Sequence, residues 1–263
     1  MLIIDKKILM FDIKNIYFSD YPYDIKDCDY LNFHYCKNKV KLDGFNCKKE
    51  LTIVIDLTKD LETIWNNIDK NIRYEIKRSQ RDGIKIFRNQ GYEIFYKIYR
   101  SFIQKKGLKS YFDFFGFGST DLDSMKKNGT LFVAEYNGEI LAGTLVLEGD
   151  FCIESWLGAT KRFEAKNNAE KRLIARADRL IDWEIIKYAK EKGLREFDLG
   201  GIWSEEEADK DITKKGINEY KSRMGGEVVT RYSYQKFYSK TCNLAFNMYD
   251  LKNLGNKYRL NRC

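Results

Sequence analysis

The chain has 263 residues, 43% of them hydrophobic and 33% charged, a balance that suits one large globular domain or two small ones fused through a shared core. The net charge of +8 gives a modest attraction for anions, but 39 acidic residues speak against the concentrated basic excess of a dedicated nucleic-acid binder. A single histidine, His34, and six cysteines without a CxxC pair speak against a histidine general base, a zinc site and a disulfide framework. No metal site is expected. No apolar run approaches the ~20 residues of a membrane span, and Met1–Asp5 lacks a signal-peptide layout. The expected address is cytoplasmic, with free thiols.

In chain order, Leu2–Ile4 and Tyr30–Tyr35 read as short strands, and the β-branched run Leu51–Leu57 as a longer one. Thr58 offers an N-cap to a helical stretch with Asp60 and Glu62 in its first turn. Leu61, Trp65, Ile68, Ile72 and Ile76 form its apolar stripe, Lys70, Arg73, Lys77 and Arg81 its basic flank, and Gly83 its end. A strand over Ile84–Phe87 and a helix over Tyr92–Lys105 follow. Tyr111–Phe117 belongs to an aromatic, glycine-bearing loop that could stack on a base or sugar, or close the core. After a short helix, Asp121–Lys127, Asn137-Gly138 predicts a hairpin between Thr130–Tyr136 and Glu139–Leu147. A strand over Phe151–Ala159, a long helix over Asn168–Lys192 ended by Gly193, and a strand over Arg195–Leu199 complete the pattern. Further elements are a helix near Asp211–Tyr220, strands within Glu227–Phe237 and a C-terminal helix near Asn243–Lys257. This is an α+β layer with a helix on the sheet, and the splay of the strands flanking the long helix is a natural cleft.

Two corners stand out. Asp198 precedes Gly200-Gly201, and Lys221 precedes Gly225-Gly226. Each sets an ionisable residue beside a glycine pair, which keeps the backbone thin where something approaches it. Four stretches, Trp65–Gly83, Leu131–Thr144, Trp183–Gly201 and Tyr220–Gly226, together resemble the FemABX-type peptidyltransferases and the related BioF2-like acetyltransferase domains of the GNAT-like acyltransferase superfamily, over residues 51–230. The resemblance implies a GNAT-like fold with splayed strands, in a truncated first half (1–107) and a complete second half (108–263) carrying the site. It implies transfer of an aminoacyl or acyl group, from aminoacyl-tRNA, to an amine of a nucleotide- or lipid-linked cell-envelope precursor such as a muropeptide. No bound cofactor is expected, and the precursor could bring transient membrane-surface contact. The chain is shorter than typical members and lacks an obvious coiled-coil arm.

In this reading Lys221 stands where the family's lysine does, to stabilise an oxyanion or bind a donor phosphate; the alternative is a solvated lysine. Asp198 could take the amine's proton or hold a hydroxyl, or could cap its loop through backbone N–H groups. Tyr220 and Trp203 could line the pocket or belong to the core. Arg172, Arg176 and Arg179 on the long helix, or Arg73 and Lys77 on the first, could grip a diphosphate or a tRNA backbone, with Glu75, Asp178 and Asp182 partly meeting the rows. The turn Gly158–Asn168 lacks the glycine pair with which GNAT enzymes bind the pyrophosphate of CoA. That weakens the rival reading, an acyl-CoA-dependent N-acyltransferase acting on an amino sugar. A non-catalytic nucleotide- or RNA-binding module is the remaining rival.

Overall fold

The computed structural model describes residues 1–8, 10–105 and 121–253. The aromatic loop Tyr111–Phe117 and the last residues of the expected C-terminal helix lie outside them. The described residues form two compact units, one of residues 1–51 and 230–253, the other of 52–105 and 121–229. Each unit takes chain from both sides of residue 107, so the expected cut into 1–107 and 108–263 does not coincide with them. Among the described residues, no helix is long and apolar enough to cross a membrane.

In the first unit, β1 (Leu2–Ile8) pairs antiparallel with β2 (Phe11–Tyr17), and β3 (Tyr30–Cys36) lies parallel to β2. The last strand, β10 (Glu227–Phe237), pairs antiparallel with β3 through its second half. Ile16, Leu31, Phe33, Cys36 and Tyr234 are its core. His34 stacks on Tyr17 with ring centroids 4.3 Å apart, and burial pushes its imidazole down to about 3, so the ring is neutral at physiological pH.

The second unit is a mixed sheet with helices packed on it, an α+β fold. Strand β4 (Asn46–Asp56) enters it, and the order continues β9 (Glu196–Ile202), β8 (Cys152–Thr160), β7 (Glu139–Glu148), β6 (Thr130–Tyr136), β5 (Lys85–Arg88). The hairpin β6–β7 turns where expected: Asn137 and Gly138 both have positive φ, 51° and 79°, as a two-residue hairpin turn requires. Helix α3 (Tyr92–Lys105) and the short α4 (Leu122–Asn128) also match the sequence pattern. The long helix, α5 (Asn168–Glu191), is capped by Asn167 and ends at Gly193, φ 73°. It buries Ile174, Ala177, Ile181, Ile185 and Ala189 in a core shared with Ile53, Ile55, Phe197 and Leu199.

The helical stretch expected to run unbroken from Asp60 to Gly83 is two helices, α1 (Leu61–Asn67) and α2 (Lys70–Arg81). The break has a tertiary cause. Ile68 is extended, Asp69 caps α2 by accepting from the N–H of Asn71, and the N–H of Asp69 donates to the carbonyl of Arg223, 2.9 Å away. Arg223 ends helix α7 (Ile212–Arg223), after which the chain crosses α1 and β4 closely. A Cβ on Gly225 (φ 84°) would lie 2.8 Å from the carbonyl carbon and oxygen of Asn67, and one on Gly226 would lie 2.6 Å from Ile53 Cγ2. The glycine pair is therefore a packing requirement. Gly226→Ala should cost about 1–3 kcal/mol through overpacking, whereas Gly216→Ala, inside α7 with nothing within 4 Å of its Cβ, should gain about 0.5–1 kcal/mol. Chemical denaturation of the two variants checks this, and equal effects would contradict it.

Candidate active site

β8 and β9 run parallel and pair at Cys152–Glu196, Ile153–Phe197 and Glu154–Asp198. β8 goes on to Thr160 and β9 to Ile202. Among the described pairings the shared ladder stops at Glu154–Asp198, the place where the sequence predicts a splay. Alternation along the strands sends Ile153 and Phe197 into the core and turns Glu154 and Asp198 to the other face. Both carboxylates are buried.

The Asp198 carboxylate accepts from the N–H of Gly200 at 2.7 Å and from the hydroxyl of Thr52 on β4. This is the loop-capping geometry, and it also ties β9 to β4. Gly200 has φ 81°, and a Cβ there would stand 3.4 Å from the Ser155 carbonyl oxygen and 3.5 Å from Lys221 Nζ. Lys221 lies in the last turn of α7, beyond the expected helix end at Tyr220. The residue is half-buried, and its ammonium is enclosed and donates to the carbonyl of Gly201 at 2.8 Å. Burial pushes the ammonium down to about 8, against the opposing pull of Asp198, Asp182 and Glu154. The two glycine-flanked corners thus meet, with the lysine of one resting on the glycines of the other.

Tyr220, one residue before, points to α5, where its hydroxyl donates to Asp182. Asp182 is buried one helical turn from Asp178, and burial raises both carboxyls, with the charge of Asp178 adding to the rise at Asp182. Burial and these two acids push the Tyr220 hydroxyl well above its ordinary range. The Arg179 guanidinium lies 5.5 Å from the Tyr220 ring centroid. Trp203 sits apart from this cluster of contacts: its N–H donates to Asn218 Oδ1 at 3.1 Å, Asn218 returns a bond to its carbonyl at 2.7 Å, and Lys214 faces its ring.

The basic rows divide. Arg176 Nη2 is 2.7 Å from Asp82 Oδ2, and Arg179 Nε is 2.8 Å from Glu75 Oε2, off the hydrogen-bond direction but in ion-pair range. These two side chains, expected to grip phosphate, instead tie α5 to α2 and its C-cap. Arg172 is exposed. On α2, Arg73 donates to Asn66 Oδ1 at 2.9 Å, and the exposed Lys77 places its ammonium 5.6 Å from the Trp65 ring centroid. Sequence reasoning missed Thr52 and Glu154 as parts of the site, and took Asp182 only as a partner for arginines. The available signal was a carboxylate in the middle of an apolar strand, and two aspartates four apart beside the inward stripe of α5.

A family model described as an acetyltransferase (GNAT) domain matches residues 66–222. The chain belongs to this GNAT family. Its fold is that of FemX, with a TM-score of 0.61 at 13% identity over 92% of this chain and 85% of the other. It is also that of the C-terminal domain of a putative lysylphosphatidylglycerol synthetase from Agrobacterium fabrum, with 0.57 at 14% identity over 96% and 85%. The resemblance read from the four sequence stretches therefore holds at the level of fold. No curated protein matches the chain.

In this GNAT domain the N-terminus of α5, where the family's pyrophosphate turn would lie, carries an N-cap and a carboxylate of the chain itself. Asn167 Oδ1 accepts from the N–H of Glu170 at 2.9 Å, and the Glu170 carboxylate accepts from the N–H of Lys166 at 2.6 Å. A negative charge already faces the positive end of the helix.

The buried acid beside Tyr220 makes stability depend on pH. Because the folded carboxyl of Asp182 titrates above its unfolded range, its contribution is full in acid and is lost as pH rises toward neutrality. Asp182→Asn keeps an acceptor for Tyr220, so its melting temperature relative to wild type should climb by several degrees from about pH 4 to about pH 8. A difference that stays flat in thermal melts across that range would contradict the assignment.

Proposed function

We propose that this GNAT domain is an aminoacyltransferase, moving an aminoacyl group from aminoacyl-tRNA to an amine of a nucleotide- or lipid-linked cell-envelope precursor such as a muropeptide. The observation that carries the reading is the enclosed Lys221 ammonium, held on the Gly201 carbonyl at the end of the β8–β9 ladder. Aminoacyl transfer needs an oxyanion stabilised and protons moved at neutral pH. A lysine brought down to about 8 is mostly protonated there, and gives up its proton far more readily than a solvated one.

The neutral amine nitrogen bonds to the ester carbonyl carbon, and the Lys221 ammonium faces the oxyanion. As the bond to the ribose oxygen breaks, Lys221 gives that oxygen a proton and regains one from the nitrogen that attacked. Asp198, already accepting from Gly200 and Thr52, is a positioning residue that fixes the corner under the lysine. The occupied N-terminus of α5 supports a donor other than acyl-CoA. The likeness to a lysylphosphatidylglycerol synthetase domain, whose name contains an aminoacylated lipid, supports the aminoacyl class.

Transfer of a radiolabelled aminoacyl group from charged tRNA to a muropeptide or lipid amine tests the proposal. Lys221→Met should lower kcat/KM about 10²–10³-fold, the scale of losing an oxyanion donor. Saturable acetyl-CoA binding in a thermal-shift titration would favour the N-acyltransferase rival. tRNA binding with no transfer to any offered amine would favour the non-catalytic one.

A further inference from the structure

Helix α2 carries five cations, Lys70, Arg73, Lys77, Arg78 and Arg81, and a single carboxylate, Glu75. The fold draws the acids inward: Glu75 faces Arg179, and Asp82 at the C-cap is held by Arg176 and lies 3.7 Å from Arg78. Among the described residues no carboxylate pairs with Lys70, Lys77 or Arg81. Arg73, Lys77 and Arg81 therefore form an outward row with steps of about 6 Å along the helix axis.

Helix stability does not account for this row. Cations in a last turn meet the negative end of the helix, which suits Arg78 and Arg81, but Lys70 and Arg73 stand near the positive end, where the N-cap acid Asp69 is already paired with Arg223. An anionic partner would relieve that conflict. Flat aromatic faces are interleaved with the charges: Trp65 lies under Lys77, and the exposed Tyr74 is 6.0 Å from the Arg81 guanidinium. The row also begins beside the site, because Asp69, the N-cap of α2, is paired with Arg223 in the last turn of α7, the turn that holds Lys221. At the far end, α5 runs antiparallel to α2 through the Glu75–Arg179 and Asp82–Arg176 pairs, which sets the exposed Arg172 past the end of the helix.

We infer that the outward row of α2, continued by Arg172, is the docking surface for the sugar-phosphate backbone of the tRNA donor, leading its acyl end toward Lys221. This rests on the aminoacyl-tRNA reading. A line of evenly spaced cations with aromatic faces between them suits a strand of phosphates. A helix lying on a membrane would turn apolar residues outward beside its cations, whereas Ile72 and Ile76 of α2 are buried in the core.

Fluorescence anisotropy with uncharged, labelled tRNA over a range of salt concentrations tests the inference on the full chain. The triple variant Arg73→Gln/Lys77→Gln/Arg81→Gln should bind about 10–100-fold more weakly near 0.15 M salt, with the slope of log affinity against log salt reduced by about 2–3. A control that removes the same charge elsewhere, Lys41→Gln/Lys97→Gln/Lys127→Gln, should stay within about 3-fold of wild type. If the triple variant fails to fold, Lys77→Gln alone should reduce the slope by about 1. Equal losses in the α2 and control variants, or wild-type binding by the α2 variant, would overturn the inference. So would loss of binding to phosphatidylglycerol vesicles with tRNA binding intact, which would assign the row to a membrane. Binding is read without turnover, so the two proposals fail separately. Lys221-dependent transfer that ignores α2 overturns this surface alone, and tRNA held through α2 without transfer overturns the aminoacyltransferase reading alone.

Discussion

The Lys221 ammonium is removed from most of its water, and its direct partner is a backbone carbonyl, Gly201 O at 2.8 Å. Enclosing an ammonium is costly unless negative charge is brought near it. Here the charge comes from three elements that are distant in sequence: Glu154 on β8, Asp182 on α5 and Asp198 on β9. The balance is incomplete, which is why the lysine titrates low. Much of the surrounding construction serves to hold that incomplete balance. Gly200 supplies the positive φ of the corner, Thr52 and the Gly200 N–H fix the Asp198 carboxylate, and Gly225-Gly226 let the chain cross Asn67 and Ile53 as it leaves α7.

Helix α5 links the core to this chemistry. Its inward stripe fills the centre of the second unit, while Asp182 anchors Tyr220 and hence the last turn of α7. Arg176 and Arg179 fasten the same helix to α2 and its C-cap. A displacement of α5 would move the acid that faces the lysine and the helix that carries the outward basic row. Local packing and the electrostatics of the site are therefore set by the same contacts.

What the sequence made legible was what local physics decides. Asn137-Gly138 demanded a hairpin, the spacing of Leu173, Ala177, Ile181, Ile185 and Tyr188 demanded a helix against a sheet, and the two glycine pairs marked the corners that meet. Most of the failures were tertiary. Nothing local breaks the helical pattern at Ile68; the break follows from the Asp69–Arg223 contact and the close crossing of Gly225. The arginines of α5 read as a basic stripe only partly met by carboxylates because Asp82, which holds Arg176, lies about a hundred residues earlier. Strand β2 was hidden by its lysine and asparagine. Glu154 became visible only through the register that sets it opposite Asp198.

The most direct test of this account is the titration of Lys221 itself, followed by NMR of protein labelled at lysine Cε, with the signal assigned by its loss in Lys221→Arg. The account predicts a midpoint near 8. A midpoint at the ordinary lysine value of about 10.4 would mean that the ammonium is solvated and that the corner holds no tuned group, which would contradict it.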